Sequence, residues 1–396
     1  CGVKILVVCQ YYKPEPFRIS DICEALVQRG HEVTVVTGTP NYPEGEIYEG
    51  YEGAAHRDEI IGGVRIHRCP IHPRKQGALH RFWNYYSFVL ASKRYLARMT
   101  EDFDVVLVNQ LSPVMMAEGA LDWAKRHGRK TVLYCLDLWP ESLTAGGICP
   151  GSFLYRVFRH ISRRIYRRAD GIAVTSCGFA EYFRTVLELP EVQTVYLPQY
   201  AEAMFDAVPL PEAHDGPCRV LFAGNVGTAQ AVDTIIRAAK LLTDAPLELH
   251  IAGDGSDLER CRTLAQGLPN VIFHGRLDVS EMPALYSTAD AMLVTLKNDP
   301  QLSVTLPGKV QSCMAAGRAI VAAAGGETAA VVDAAGCGIC VPPEDAQALA
   351  DALRVLSASP ECLRAYGAAA RRYYEKHFQK EAFLTRLTEM LEEYRT

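Results

Sequence analysis

No apolar run in these 396 residues approaches the roughly 18 needed to cross a bilayer as a helix, so a membrane-spanning architecture is not expected. Low-complexity and tail-like segments are missing too, and a hydrophobic share of 49% leaves ample material for packed cores. Paired Cys-x-x-Cys units and His/Cys clusters at zinc spacing are absent, and the histidines are scattered. No Asp-x-Asp motif is expected, and with it no metal site. The 13 cysteines are odd in number and spread along the chain. They read as reduced thiols packed as small hydrophobes, which points to the cytoplasm. A net charge of −5 argues against nucleic acid as a partner. No charged leader precedes the first apolar segment, so no signal peptide is expected. Cys1 stands where Met is usual and reads as a processing feature; a lipid on it would have little tether before the first strand.

What is present is an alternation of apolar runs and helical patterns. In the first half, strands are expected at Lys4–Cys9, Val33–Thr37, Val64–Arg68, Val105–Val108, Thr131–Tyr134 and, as the last, Ile172–Thr175. Helices are expected from about Asp21 to Gly30, from Leu79 to Met99, over Ala117–His127 and over Phe153–Arg168. Residues 198–217 are rich in Pro, Ala and acids and read as a linker. The second half repeats the alternation, with strands at Arg219–Ala223, Leu247–Ala252, Val271–His274, Ala291–Leu296, Ala319–Ala323 and Ile339–Val341. Such a pattern predicts α/β architecture: two Rossmann-like, doubly wound parallel domains facing across a cleft, 1–197 and 218–378. The final stretch, 379–396, is expected to be a helix.

The organising stretch is Thr305–Gly317. Pro307 suits a first helical turn, Gly308 allows close backbone approach, and Lys309 adds a full charge where unpaired N–H groups and the helix dipole already favour an anion. Gly224-Asn225-Val226-Gly227, Gly253-Asp254-Gly255 and Gly275-Arg276 follow three other strands. None matches the Gly-x-Gly-x-x-Gly dinucleotide fingerprint. Four strand ends bearing Gly or a base favour a phosphorylated ligand over a set of plain turns.

Further motifs are Tyr11-Tyr12-Lys13-Pro14-Glu15, Phe17-Arg18, Arg29-Gly30-His31-Glu32-Val33, Pro40-Asn41-Tyr42-Pro43, Asp137-Leu138-Trp139-Pro140-Glu141-Ser142, Phe222-Ala223-Gly224-Asn225, Ala252-Gly253-Asp254-Gly255 and Met314-Ala315-Ala316-Gly317. On these the whole chain resembles a glycosyltransferase of family 4, with the GT-B fold, and is similar to the bacterial transferases of O-antigen, capsule and colanic-acid synthesis. The resemblance implies a nucleotide-sugar donor in the second half, a UDP-sugar serving as co-substrate without a further cofactor. Gly224 and Asn225 would face the diphosphate or sugar, Gly253 the nucleoside diphosphate, Gly275 and Arg276 the base, and Gly308 and Lys309 the diphosphate. Two departures stand out. The family's Glu-x7-Glu pair falls on Val304 and Ser312, and its usual Arg/Lys pair is replaced around Thr228 and Gln230.

In the first half, Asp137 and Glu141 follow a strand and are candidates to bind the acceptor hydroxyl or take its proton, against plain helix capping and a surface salt bridge. Glu15, Arg18, Asn41 and Tyr42 are expected on the acceptor side. The resemblance also implies retention of anomeric configuration, a lipid-linked or glycan acceptor, and a final helix crossing back to the first domain. The helix Phe153–Arg168 lies in an acid-free stretch from Ser142 to Ala169. Its Arg159, Arg163, Arg164 and Arg167 predict either a solvated basic face or adsorption to an anionic membrane, placing the protein peripherally on the inner face. A nucleotide-sugar 2-epimerase and a non-catalytic nucleotide-sugar-binding partner are the competing readings.

Overall fold

A computed structural model of the chain describes residues 2–75 and 77–396; Cys1 lies outside them. Two compact units result. The first comprises residues up to Thr175, Phe179–Leu197 and Leu384–Thr396; the second comprises Ser176–Gly178 and Pro198–Phe383.

In the first unit the apolar runs become β1 (Lys4–Cys9), β2 (Glu32–Gly38), β3 (Asp58–Ile61), β4 (Val64–Cys69), β5 (Val105–Gln110), β6 (Lys130–Cys135), β7 (Gly171–Val174) and β8 (Thr194–Tyr196). Their order in the sheet is β3-β4-β2-β1-β5-β6-β7-β8. All pairs are parallel except β3 with β4. β1 lies at the centre, with Val7 opposite both Val35 and Leu107, and its residues from Ile5 onward are buried, as a strand covered on two faces requires. Two strands go beyond the sequence reading, both at sheet edges. β3 pairs back through Gly62-Gly63, both at positive φ, and β8 is only three residues long. Edge strands bury one side at most and so lack the apolar run. Ile172–Thr175 is therefore not the last strand of this half.

Three helices lie side by side on this unit. Lys93 on Ala78–Arg98 reaches Glu118 at 3.2 Å and Asp122 at 3.4 Å on Glu118–His127. Arg168 on Phe153–Arg168 reaches Asp122 at 2.6 Å from the other side. Gly119 makes the first of these contacts close, since a Cβ there would stand 3.0 Å from the Lys93 backbone. No helix among the described residues is long and apolar enough to cross a membrane.

The second unit carries β9 (Cys218–Ala223), β10 (Leu247–Ala252), β11 (Val271–Gly275), β12 (Ala291–Thr295), β13 (Ala319–Ala323) and β14 (Gly338–Val341). They form one parallel sheet ordered β11-β10-β9-β12-β13-β14. Order reverses beside β9, where ligands collect in open α/β sheets. The stretch 198–217 is packed into this unit: Tyr200, Ala201, Phe205 and Val208 are all buried. Arg318, wholly buried, donates to the carbonyls of Pro209, Tyr286, Ser287 and Ala316, and Arg371 donates to those of Val208 and Ala315. Cys337 and Cys340, a single Cys-x-x-Cys straddling the start of β14, are free thiols.

Candidate active site

In the second unit the ends of β9, β10 and β11 are stitched backbone to backbone. The Gly224 N–H donates to Ala252 O at 3.0 Å, and the Gly253 N–H donates to Gly275 O at 2.8 Å. A Cβ at Gly253 would fall 1.8 Å from the Gly224 carbonyl oxygen, so no side chain fits there. Gly275 sits at φ +68°, in the left-handed region, with open space where a Cβ would point. Val226 N–H donates to Asp254 O and receives the Asp257 N–H in return, locking the first loop to the second.

Lys309 enters this floor from the helix Gly308–Ala315, whose N-cap is Pro307. Its stem is partly exposed, but its ammonium is buried and has no hydrogen-bond partner. The nitrogen lies 3.8 Å from the centre of the Phe222 ring, which gives a cation–π contact in place of an anion. A Cβ on Gly224 would come within 2.8 Å of the same nitrogen. Burial lowers the Lys309 pKa from 10.5 to about 8. A buried ammonium without a hydrogen-bond partner, in the first turn of a helix, favours an anion at that place.

The structure thus brings Gly224, Gly253, Gly275 and Lys309 together, with Gly308 exposed at the head of its helix. Asn225 is exposed and its amide donates to Gln230 Oε1 at 3.3 Å; the Gly227 N–H shares that acceptor at 3.1 Å. Gln230 therefore orders the Gly-rich loop where the basic pair is replaced. Arg276 is exposed beside Gly275. At the two positions lacking carboxylates, the Val304 carbonyl accepts the Ser176 hydroxyl, and Ser312 Oγ lies 3.4 Å from Glu202 Oε2.

The candidate residues of the first unit gather at the carboxyl ends of β1, β2 and β6. Glu15 is buried and takes the N–H groups of Asn41 at 3.1 Å, Tyr42 at 2.9 Å and Tyr12 at 3.4 Å. Burial outweighs those bonds and raises its pKa to about 7. Asn41 is buried with its amide in use: Oδ1 accepts from Arg74 N and Asn84 Nδ2, and Nδ2 donates to Thr39 O. Both residues shape the loop they stand on. The Tyr42 ring packs with Phe17 and Tyr11, under Arg74. Arg18 precedes the helix Ile19–Gln28 and acts electrostatically on Tyr134 at the end of β6.

Asp137 accepts hydroxyls from Ser112 and Ser142, the latter at 2.6 Å, and burial raises its pKa against their effect. Trp139 Nε1 holds the same Ser112 at 2.8 Å. Glu141 accepts two tyrosine hydroxyls, from Tyr155 and Tyr182, each at 3.1 Å. Neither carboxylate behaves as the cap or surface ion pair that the alternative reading supposed. Asp102-Phe103-Asp104, an Asp-x-Asp, precedes β5 at the opposite sheet edge. There Asp102 pairs with Arg129 at 2.8 Å and Asp104 accepts the Lys4 N–H at 2.8 Å.

Of the arginines expected at a membrane, Arg159 donates to Val186 O and lies 3.3 Å from Glu188. Arg163 reaches Glu188 O at 3.5 Å and Arg167 pairs with Glu191 at 2.9 Å. Arg164 is exposed, 3.9 Å from Glu118.

Two largely parallel α/β units, one with a Gly-rich floor and a buried cation at its strand ends, have the architecture of enzymes that take phosphorylated ligands. The pattern described as "Glycosyl transferase 4-like domain" matches residues 17–199, and "Glycosyl transferases group 1" matches residues 217–359. The chain belongs to this family, the group 1 glycosyltransferases with the GT-B fold. Among curated proteins it is 27% identical to the putative colanic acid biosynthesis glycosyl transferase WcaI of Escherichia coli, over 96% of this chain and 98% of that one. It is 25% identical to a GDP-mannose-dependent alpha-mannosyltransferase of Mycobacterium tuberculosis, over 81% and 79%. Among solved structures, sucrose-phosphate synthase from Thermosynechococcus elongatus shares the fold at a TM-score of 0.74 and 19% identity, covering 98% of each chain. Anabaena HepE in complex with UDP and glucose does so at 0.68 and 14%, covering 99% and 100%.

Proposed function

We propose that the protein is a retaining transferase of surface-polysaccharide synthesis. It moves a sugar, an N-acetylhexosamine or deoxy relative, from a UDP-sugar to a hydroxyl of a polyprenyl-diphosphate-linked glycan at the inner face of the cell membrane. The observation that carries this reading is the buried, unpartnered ammonium of Lys309 beneath Gly224. A diphosphate gives that charge its missing partner, and the charge in turn stabilises the diphosphate as it leaves. The names of WcaI and of the HepE complex supply the polysaccharide context and the uridine nucleotide.

In the proposed reaction the bond between the anomeric carbon and the β-phosphate oxygen breaks. The acceptor oxygen bonds to the same carbon on the same face, and its proton passes to the departing phosphate. Gly224, Gly253 and Gly308 offer backbone to the diphosphate. Asn225 meets the diphosphate or sugar, and Gly275 and Arg276 lie toward the base. On the acceptor side, Asp137 and Glu141 orient the hydroxyl, and Glu15, Arg18, Asn41 and Tyr42 form the loops around it.

The test is thermal stability of the purified chain with UDP, GDP, dTDP, ADP and their sugars. Ligand at about a hundredfold over its dissociation constant stabilises the fold by about 2.7 kcal/mol. A shift selective for UDP compounds, followed by transfer to a lipid-linked acceptor, supports the proposal. A shift selective for GDP compounds overturns the donor, and no shift at all removes the site.

A further inference from the structure

From Ile60 to Thr100 the chain contains no Asp or Glu but eight Lys or Arg, against a net charge of −5 overall. The helix Ala78–Arg98 occupies half of this stretch and turns an apolar stripe to solvent. Leu79 is 66% exposed, Phe82 47%, Trp83 51% and Leu90 52%, and Lys75, Arg81, Arg94 and Arg98 are exposed around them. The second acid-free stretch, 142–169, behaves alike. The helix Phe153–Arg168 exposes Phe153, Leu154 and Val157 at its start, with Arg156 and His160 beside them.

These two apolar tips point the same way. Lys93 stands at Glu118 and Arg126 reaches the carbonyl of Leu96, so Ala78–Arg98 runs parallel to Glu118–His127. Arg164 stands at Glu118 and Arg168 at Asp122, so Phe153–Arg168 runs parallel to it as well. At about 1.5 Å per residue, Leu79 lies about 20 Å before the level of Glu118, and Phe153 about 16 Å before it. Both tips therefore overhang the start of the middle helix, on the side of the carboxyl ends of the strands. The acceptor loops arise on that side, and the buried face of Ala78–Arg98 holds them there: Asn84 donates to His72 O and Asn41 Oδ1.

We infer that the two overhanging tips dock together on an anionic lipid surface. Leu79, Phe82, Trp83, Phe153 and Leu154 enter the headgroup boundary, and Lys75, Arg81 and Arg156 meet lipid phosphate. Apolar side chains ringed by free bases fit such a surface, whereas a protein partner of ordinary charge would leave those bases unmatched. The arginines of the middle and end of Phe153–Arg168 serve the fold instead, through their pairs with Glu188, Glu191 and Asp122. Docking rests on the reading of a lipid-linked acceptor for its purpose only, and is measurable without donor or acceptor.

Trp83 is a built-in probe, because Trp123 is 0% and Trp139 5% exposed. The full chain is mixed with vesicles of phosphatidylglycerol and phosphatidylethanolamine, and separately with phosphatidylcholine alone. The expected result is co-sedimentation with the anionic vesicles, a blue shift of Trp83 emission and loss of its quenching by acrylamide. F153S/L154S and L79S/F82S each weaken partitioning about tenfold or more, as loss of two half-inserted apolar groups requires. K75E/R81E/R156E abolishes it, and R167E leaves it unchanged. Equal binding to neutral vesicles, a Trp83 that stays quenchable, or tip variants that bind like the parent overturn the inference. So does Trp83 protection without vesicles that tracks self-association by sedimentation. UDP-dependent thermal stabilisation, read without vesicles, reports the donor site independently.

Discussion

Replacing Lys309 with Met is expected to strengthen the unliganded fold and remove donor binding in one step. The lysine is held at a pKa of about 8 against 10.5 in the unfolded chain, because its ammonium is buried without a partner. A depressed lysine makes stability rise with pH between those values and leaves a constant penalty below about 8, where both states are protonated. At 1.36 kcal/mol per unit, that penalty is on the order of 3 kcal/mol at neutral pH. Met keeps the length and the contact with Phe222 without the charge, so the variant gains up to that amount. The same charge returns its cost when a diphosphate arrives. Pairing restores the lysine pKa, so donor affinity stays flat below about pH 7 and falls about tenfold between pH 7 and 9 as the unliganded lysine loses its proton. K309R remains charged throughout and lacks this loss, which separates the lysine from ionisation of the nucleotide itself. The assays are chemical denaturation of the free protein and UDP titration across pH. A K309M protein no more stable than the parent, or one that binds UDP as the parent does, refutes the reasoning.

Three further outcomes are expected. Glu15, raised to about 7, favours its protonated form in the fold. Stability should therefore decline between about pH 4.5 and 7, by up to about 3 kcal/mol, and E15Q should lose that slope in pH-dependent denaturation. R318A strands four carbonyls that one guanidinium serves. A loss of about 3 kcal/mol or more in the second unit is expected, visible as a lower Tm, with R318K recovering only part. G253A should abolish UDP binding because its methyl meets the Gly224 carbonyl, whereas G275A meets open space and should cost only about 1–2 kcal/mol for the left-handed backbone.

The sheets were legible wherever a strand is covered on both faces. Lys4–Cys9, Leu247–Ala252 and Ala319–Ala323 appear with the bounds their apolar runs suggest. β3 and β8 escaped because edge strands carry no such run, although Gly62-Gly63 between two short apolar segments was an available hairpin signal. The packing of 198–217 was not legible, because that stretch, read as a linker, carries no periodicity. The stretch is anchored by Arg318 and Arg371, whose carbonyl partners are drawn from three separate places in the chain, which no local pattern reveals. Lys309 was legible as a base at a helix start; its burial over Phe222 was not, because that contact joins residues far apart in sequence. Asp137 and Glu141 were identified by type and spacing. Their hydroxyl partners, Ser112, Ser142, Tyr155 and Tyr182, converge from four elements, and only Ser142 lies near enough in sequence to be suspected.

The stitched floor of Gly224, Gly253 and Gly275 also bears on how such an enzyme could be retargeted. Its hydrogen bonds join main chain to main chain, and at Gly253 no side chain has room. Exchanging side chains therefore has little purchase on that platform. A mutant library aimed at a new donor would be better confined to Asn225, Gln230 and Arg276, which surround the platform without belonging to it.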